Sequence, residues 1–219
     1  SSLHIGNPQI RVRIRTWPVS TTDHALDLAR PIRGRAIADA GRLSRAHGAL
    51  LGQFIGDSLG GQVEFQTRAA IARAYPAGVR EIVDGGHWGT LAGQPTDDSE
   101  LALMLARTLA KDGFDDEAIA HAYRDWYRSR PYDIGGTIGQ ALSVNRDGDA
   151  ALAPRMRAAA SQTSQANGAL MRICPLGIWG HDRDPRDLAA MAAADASLTH
   201  PHPDCQSASS LFTLAMPHG

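Results

Sequence analysis

The chain has 219 residues, 43% hydrophobic and 21% charged, enough for one domain with a sizeable core. Its formal net charge of -1 gives no global attraction to nucleic acid or to an anionic membrane, so neither is expected as a partner. Two cysteines, Cys174 and Cys205, make no disulfide framework. With no leader-like apolar run at the start and no stretch of about 20 apolar residues, these features predict a cytoplasmic protein.

Residues 1–45 differ in character from the rest of the chain. They carry Arg11, Arg13, Arg15, Arg30, Arg33, Arg35, Arg42 and Arg45 out of 22 basic residues in all. The run IRVRIR (10–15) alternates apolar and basic residues with the period of a short strand. This basic extension reads either as solvated chain or as an arm that reaches a partner.

From residue 46 the pattern is helical. AHGALLGQFIGDSLGG enters a turn at Gly60 and Gly61, and DDSELALMLARTLAKDG sets Leu101, Met104, Leu105 and Leu109 on one stripe before Gly113 stops it. DDEAIAHAYRDWYRSR is amphipathic and ends before Pro131. DIGGTIGQALSV, NGALMRICPLGIWG and PRDLAAMAAADASLTH are further helical segments. The expectation is an all-α domain over residues 46–219 behind the extension 1–45.

Several local patterns carry chemistry. Gly48, Gly52, Gly56 and Gly60 share one helical face, which suits tight packing against a neighbour or room for a cleft at Asp57. Glu64, past the double glycine, reads as a general base, a substrate clamp or a solvated loop acid. Asp97 with Glu100 fits a capping box. Thr96, Asp97 and Asp98 also form an all-oxygen cluster of the kind hard cations prefer. Asn167-Gly168 presents backbone donors ahead of an apolar helix, where the embedded Arg172 needs a partner if buried. The His200, His202, Asp204 and Cys205 group matches no standard zinc spacing, and Pro201 and Pro203 suit a stiff turn presenting one histidine. Lys111 is the only lysine, and neither a Walker phosphate loop nor a nucleophile elbow occurs.

Five motifs in order resemble the ADP-ribosylglycohydrolase family, including its dinitrogenase-reductase-activating members. They are GALLGQFIGDSLGGQVEF (48–65), PTDDSELALMLA (95–106), YDIGGT (132–137), NGALMRICPLG (167–177) and SLTHPHP (197–203). The resemblance implies a compact orthogonal all-α bundle. It also implies two Mg²⁺ ions, or Mn²⁺, in a central cleft, and hydrolysis of the glycosidic bond joining ADP-ribose to an acceptor such as protein arginine. Thr96, Asp97 and Asp98 match the family's first metal cluster, with Asp97 and Asp98 also catalytic. Glu64 matches the acid that contacts the scissile ribose. Asp57, Asp133, Gly135, Asn167, Gly168 and His200 are the expected substrate-binding residues. Ala169 stands where many members have serine. The family's second cluster, of D-x-D-T type, is expected beyond residue 219, and Asp182-Arg183-Asp184 reads instead as a helix cap. An alternative role is that of an ADP-ribose-binding or immunity protein, neutralising an ADP-ribosyltransferase toxin by contact through residues 1–45.

Overall fold

The computed structural model describes residues 39–144 and 151–216. The period-two stretch 10–15 and most of the basic extension lie outside them. Nine α-helices and one 3₁₀ turn make up the described regular structure: α1 (Ala40–Gly61), α2 (Arg68–Ala74), α3 (Asp97–Asp112), α4 (Asp116–Arg128), α5 (Gly136–Leu142), α6 (Leu152–Ala159), the 3₁₀ turn (Leu170–Arg172), α7 (Cys174–Trp179), α8 (Pro185–Ser197) and α9 (Pro203–Ala215). Among the described residues the only β pairing is an isolated bridge between Gly85 and Thr90. The all-α expectation is met.

The core forms where the helical stripes meet. Leu101, Leu105 and Leu109 of α3 cluster with Ile119, Ala120, Tyr123 and Trp126 of α4, and Ile138, Leu142, Leu152, Met156, Ile173, Leu176 and Leu188 join them. Full burial of each such side chain contributes on the order of 1.5–3 kcal/mol against the entropy of ordering the chain. α3 therefore sits in the middle of the packing. Asp184 caps α8 by accepting the Arg186 N–H at 2.8 Å, the cap expected from its position before Pro185.

Two local expectations are corrected. The glycine face of α1 has no close neighbour: a Cβ at Gly48, Gly52, Gly56 or Gly60 would meet nothing within 4 Å among the described residues. Leu51 and Ile55 on the same helix are half exposed. The capping box of α3 also does not form. Thr96, not Asp97, is the N-cap residue, and its side chain makes no cap bond. Glu100 instead accepts the Trp126 indole N–H at 2.7 Å.

Candidate functional site

The cap of α3 comes from α1. The Asp57 carboxylate accepts the Thr96 amide at 3.0 Å, the Thr96 hydroxyl at 2.7 Å, the Ser99 amide at 3.2 Å and the Ser99 hydroxyl at 2.5 Å. A carboxylate in that place satisfies donors of the first turn and complements the positive end of the helix. It also turns the Thr96 hydroxyl hydrogen toward α1, leaving oxygen lone pairs for another partner. Gln53, one turn earlier on α1, donates to the carbonyls of Asp98 at 3.2 Å and Met171 at 2.9 Å. Asp57 thus stands beside the site, its oxygens committed to α3.

Asp97 is buried and Asp98 half-buried at this helix start. The Asp97 carboxylate accepts the Gly135 N–H at 3.2 Å, which ties it to the segment carrying Asp133. Tyr132 fastens the same segment, its hydroxyl donating to the Pro95 carbonyl. Burial, then the neighbouring Asp133, pushes the Asp97 carboxyl up to about 7. Burial and Glu64 push Asp133 up to about 6. Asp98 is raised by burial and by Asp57. The charges that act on these three are other carboxylates. The result is an acidic wall built from α1, the start of α3 and the segment before α5.

Glu64 closes one edge of that wall. Its carboxylate accepts the Trp88 indole N–H at 3.1 Å, and Trp88 packs edge-on against Tyr132 at 5.9 Å between ring centroids. The loop bearing Trp88 is stapled to the end of α1 by Gln62, whose side chain accepts the Val83 N–H at 3.2 Å and donates to the Ser58 carbonyl at 3.2 Å. Gly86 permits the approach: its φ is +73°, and a Cβ there would lie 2.7 Å from the Gly61 carbonyl oxygen.

On the other side Ile138 packs between Gly135 and the buried pair Gly168 and His200. A Cβ on Gly135 would sit 3.6 Å from Asp97 Oδ2 and 3.8 Å from Ile138 Cδ1. One on Gly168 would strike Ile138 Cδ1 at 2.9 Å and His200 Cε1 at 2.6 Å. Ile138 therefore links Asp97 and Gly135 to Gly168 and His200. Asn167 is exposed, and its carbonyl accepts the Met171 N–H at 3.0 Å. His200 is fully buried, and burial together with Arg172 pushes its imidazolium down to about 4, so the ring is neutral.

Arg172, flagged by sequence for needing a partner, is 0% exposed and finds Asp195 on α8. Its guanidinium donates to Asp195 Oδ2 at 3.1 Å, to the Asp195 carbonyl at 2.9 Å, to the Gly168 carbonyl at 3.1 Å and to Thr199 Oγ1 at 2.7 Å. Tyr123 lies under it at 4.5 Å and donates its hydroxyl to Asp195 at 2.7 Å. Asp195, Thr199, Gln53 and Tyr132 were not singled out by sequence. Only a charged Asp inside the Ala-rich run of α8 could have pointed to the first of them.

The donor set can be tested against a divalent cation. No three His, Cys, Asp or Glu side chains among the described residues close around one point as a metal cage. What they form is an open face: the Thr96 hydroxyl oxygen and the Asp97 and Asp98 carboxylates, all hard oxygen donors. Their repulsion is what a cation relieves, so the face fits part of a Mg²⁺ shell. Cys174 and Cys205 are free buried thiols, and the His200, His202, Asp204 and Cys205 group forms no zinc site.

Fold and site together define an all-α protein with a cluster of mutually repelling carboxylates at the start of its central helix. The sequence model of ADP-ribosylglycohydrolase matches residues 38–218. The ADP-ribosyl-[dinitrogen reductase] glycohydrolase of Rhodospirillum rubrum is 40% identical over 163 residues, covering 73% of this chain and 52% of the relative. The ADP-ribosylarginine hydrolase Tri1 of Pseudomonas putida is 34% identical over 141 residues, covering 63% and 36%. A solved ADP-ribosylglycohydrolase-related protein complex superposes with a TM-score of 0.64 at 30% identity, covering 78% of this chain and 54% of that one. The chain belongs to the ADP-ribosylglycohydrolase family. It spans about half the length of the first two relatives or less. Among the described residues no helix is long and apolar enough to cross a membrane.

Proposed function

We propose that this chain takes part in hydrolysis of the N-glycosidic bond between ADP-ribose and a modified protein arginine. The observation that carries the proposal is the crowding of Asp97 and Asp98 with other carboxylates at the start of α3, beside the exposed Gly135. Such crowding lowers stability, and sites that keep it use it. The named activities of the relatives, on ADP-ribosyl-dinitrogen reductase and ADP-ribosylarginine, support the same substrate class.

Cleavage of a ribosyl bond passes through an oxocarbenium-like state, for which carboxylates near the anomeric carbon are suited. Thr96, Asp97 and Asp98 would hold Mg²⁺ or Mn²⁺, which when bound orients ribose hydroxyls and acidifies water. The Gly135 N–H, 3.2 Å from Oδ2, fixes the orientation of the Asp97 carboxylate. Glu64, fixed by Trp88 at the edge of the wall, is placed to accept a ribose hydroxyl. Gly135, exposed beside Asp97, leaves bare backbone for a sugar or phosphate to approach, and Asp133 lies on the same segment. The family's second cluster would come from outside the described residues.

The test is release of free ADP-ribose from arginine-ADP-ribosylated protein, with Mg²⁺ and with EDTA. Metal-dependent release that disappears in Asp97→Ala/Asp98→Ala supports the proposal. Release that is indifferent to both overturns it. The alternative, contact neutralisation of an ADP-ribosyltransferase, rests mainly on residues outside those described. Deleting residues 1–45 should abolish that effect and spare hydrolysis.

A further inference from the structure

Phe65, His87 and Trp88 form a group of rings that the core does not bury. Phe65 is 71% exposed and Trp88 37%. Phe65 and His87 lie 4.7 Å apart between ring centroids, His87 and Trp88 4.7 Å, and Phe65 and Trp88 6.2 Å. The interplanar angles are 64°, 85° and 78°, so the three rings make a corner and not a stack. Phe65 is also held at φ +60°, a conformation that a non-glycine residue adopts at a cost. Exposure of a large ring and backbone strain thus fall on one residue, beside Glu64.

The corner is fixed before any ligand arrives, which lowers the cost of binding. Gly85 and Thr90 exchange backbone bonds of 2.8 and 2.9 Å on either side of His87 and Trp88, and Asp84 accepts the Ala92 N–H at 2.7 Å. Charge then decides what the rings can hold. Trp88 engages Oε2 of Glu64, which leaves Oε1 for another donor. Burial and Glu64 raise Asp133, and burial with carboxylates led by Glu100 pushes the phenol of Tyr132, the next ring along, up to about 12. Ring faces are negative, and among carboxylates they repel a diphosphate and attract a cation. A guanidinium suits them best, because it is planar, stacks on a ring and donates in-plane N–H groups to a carboxylate.

We infer that Phe65 and Trp88, braced by His87 and bordered by Glu64, form the acceptor subsite, which takes the guanidinium of the modified arginine and selects a planar cation over a neutral leaving group. This rests on the ADP-ribosyl-arginine reading of the site, in which Glu64 holds the ribose. Glu64 is then shared between the ribose and the group joined to it.

The experiment uses the full chain labelled with ¹⁵N, in excess Mg²⁺ so that the probe does not simply take the place of a cation at Asp97 and Asp98. The indole N–H signal of Trp88, identified by its loss in Trp88→Phe, is followed during titration with Nα-acetyl-arginine amide or its neutral citrulline analogue. Each titration is run with and without saturating ADP-ribose, whose own binding is measured by calorimetry. The arginine amide should move the Trp88 signal whether or not ADP-ribose is bound. The citrulline analogue should bind about two- to fivefold more weakly, the scale of one exposed cation–π contact. Phe65→Leu should erase that preference, whereas Phe65→Tyr, which keeps the ring, should preserve it. Equal binding of the two probes, or a preference that survives Phe65→Leu, overturns the inference. Loss of ADP-ribose affinity in Phe65→Leu in step with arginine affinity assigns the rings to the nucleotide and overturns it too. A chain that prefers arginine but binds no ADP-ribose overturns the hydrolase reading and keeps only the cation site.

Discussion

Replacing Asp97 with Asn should stabilise the metal-free chain, and by an amount that depends on pH. In the folded protein Asp97 gives up its proton near 7, whereas its ordinary value is 3.8. A folded-state value above the unfolded one means that the native state binds the extra proton. Stability is therefore lost as pH rises from 3.8 through about 7, and the penalty is constant above that. The full span corresponds to about 4 kcal/mol for an isolated group. Asn keeps the acceptor for the Gly135 N–H and cannot ionise, so it escapes the penalty. Urea unfolding of wild type and Asp97→Asn should show a stability difference that grows by about 2 kcal/mol between pH 5 and pH 7.5. Comparison at each pH cancels to first order the titration of groups distant from Asp97. At pH 7.5, millimolar Mg²⁺ should raise the wild type toward the variant and leave the variant unmoved. A difference that is the same at both pH values would refute the claim that Asp97 sits uncompensated in the folded chain.

Three further outcomes rest on the same geometry. Gly168→Ala forces a methyl against His200 and Ile138. It should destabilise the fold by about 1–3 kcal/mol and abolish calorimetric binding of ADP-ribose; unimpaired binding would remove Gly168 from the site. Asp57→Ala strips the start of α3 of its acceptor for two amides and two hydroxyls. A loss of about 1–2 kcal/mol in urea unfolding is expected, and an unchanged midpoint would refute the cap. His200 acts in the opposite sense to Asp97 at acid pH. Its folded value near 4 lies below the ordinary 6.5, so its contribution to stability is lost as pH falls from 6.5 toward 4. The loss is about 3 kcal/mol at most, and His200→Gln should flatten it in a pH series of thermal unfolding.

The parts of this molecule written in local periodicity are readable without the fold. The α3 stripe of Leu101, Leu105 and Leu109, the stop at Gly113 and the cap at Asp184 need only near neighbours, and the structure shows them where spacing puts them. Residues whose partners lie far along the chain are not readable in that way. The acceptor that caps α3 is 42 residues before Ser99, and no window around Thr96 contains it. Spacing therefore favours a capping box that the long-range carboxylate makes unnecessary. Arg172 announces a need but not its answer, because Asp195 and Thr199 reach it only after α8 folds back. The glycine face of α1 misleads in the opposite direction. Its period is clear in sequence, but period alone does not say whether a neighbour exists.

That face bears on how the domain opens. Four helical glycines lower the intrinsic stability of α1 by about 0.5–1 kcal/mol each, and among the described residues no close contact offsets them. The same helix supplies Gln53 and Asp57, which fasten the start of α3 from outside. The chemically important end of the central core helix is thus fastened by a helix with a bare glycine face. Local opening of α1 frees Thr96, Asp97 and Asp98 while Leu101, Leu105 and Leu109 stay packed, so the site can be lost well before the domain melts.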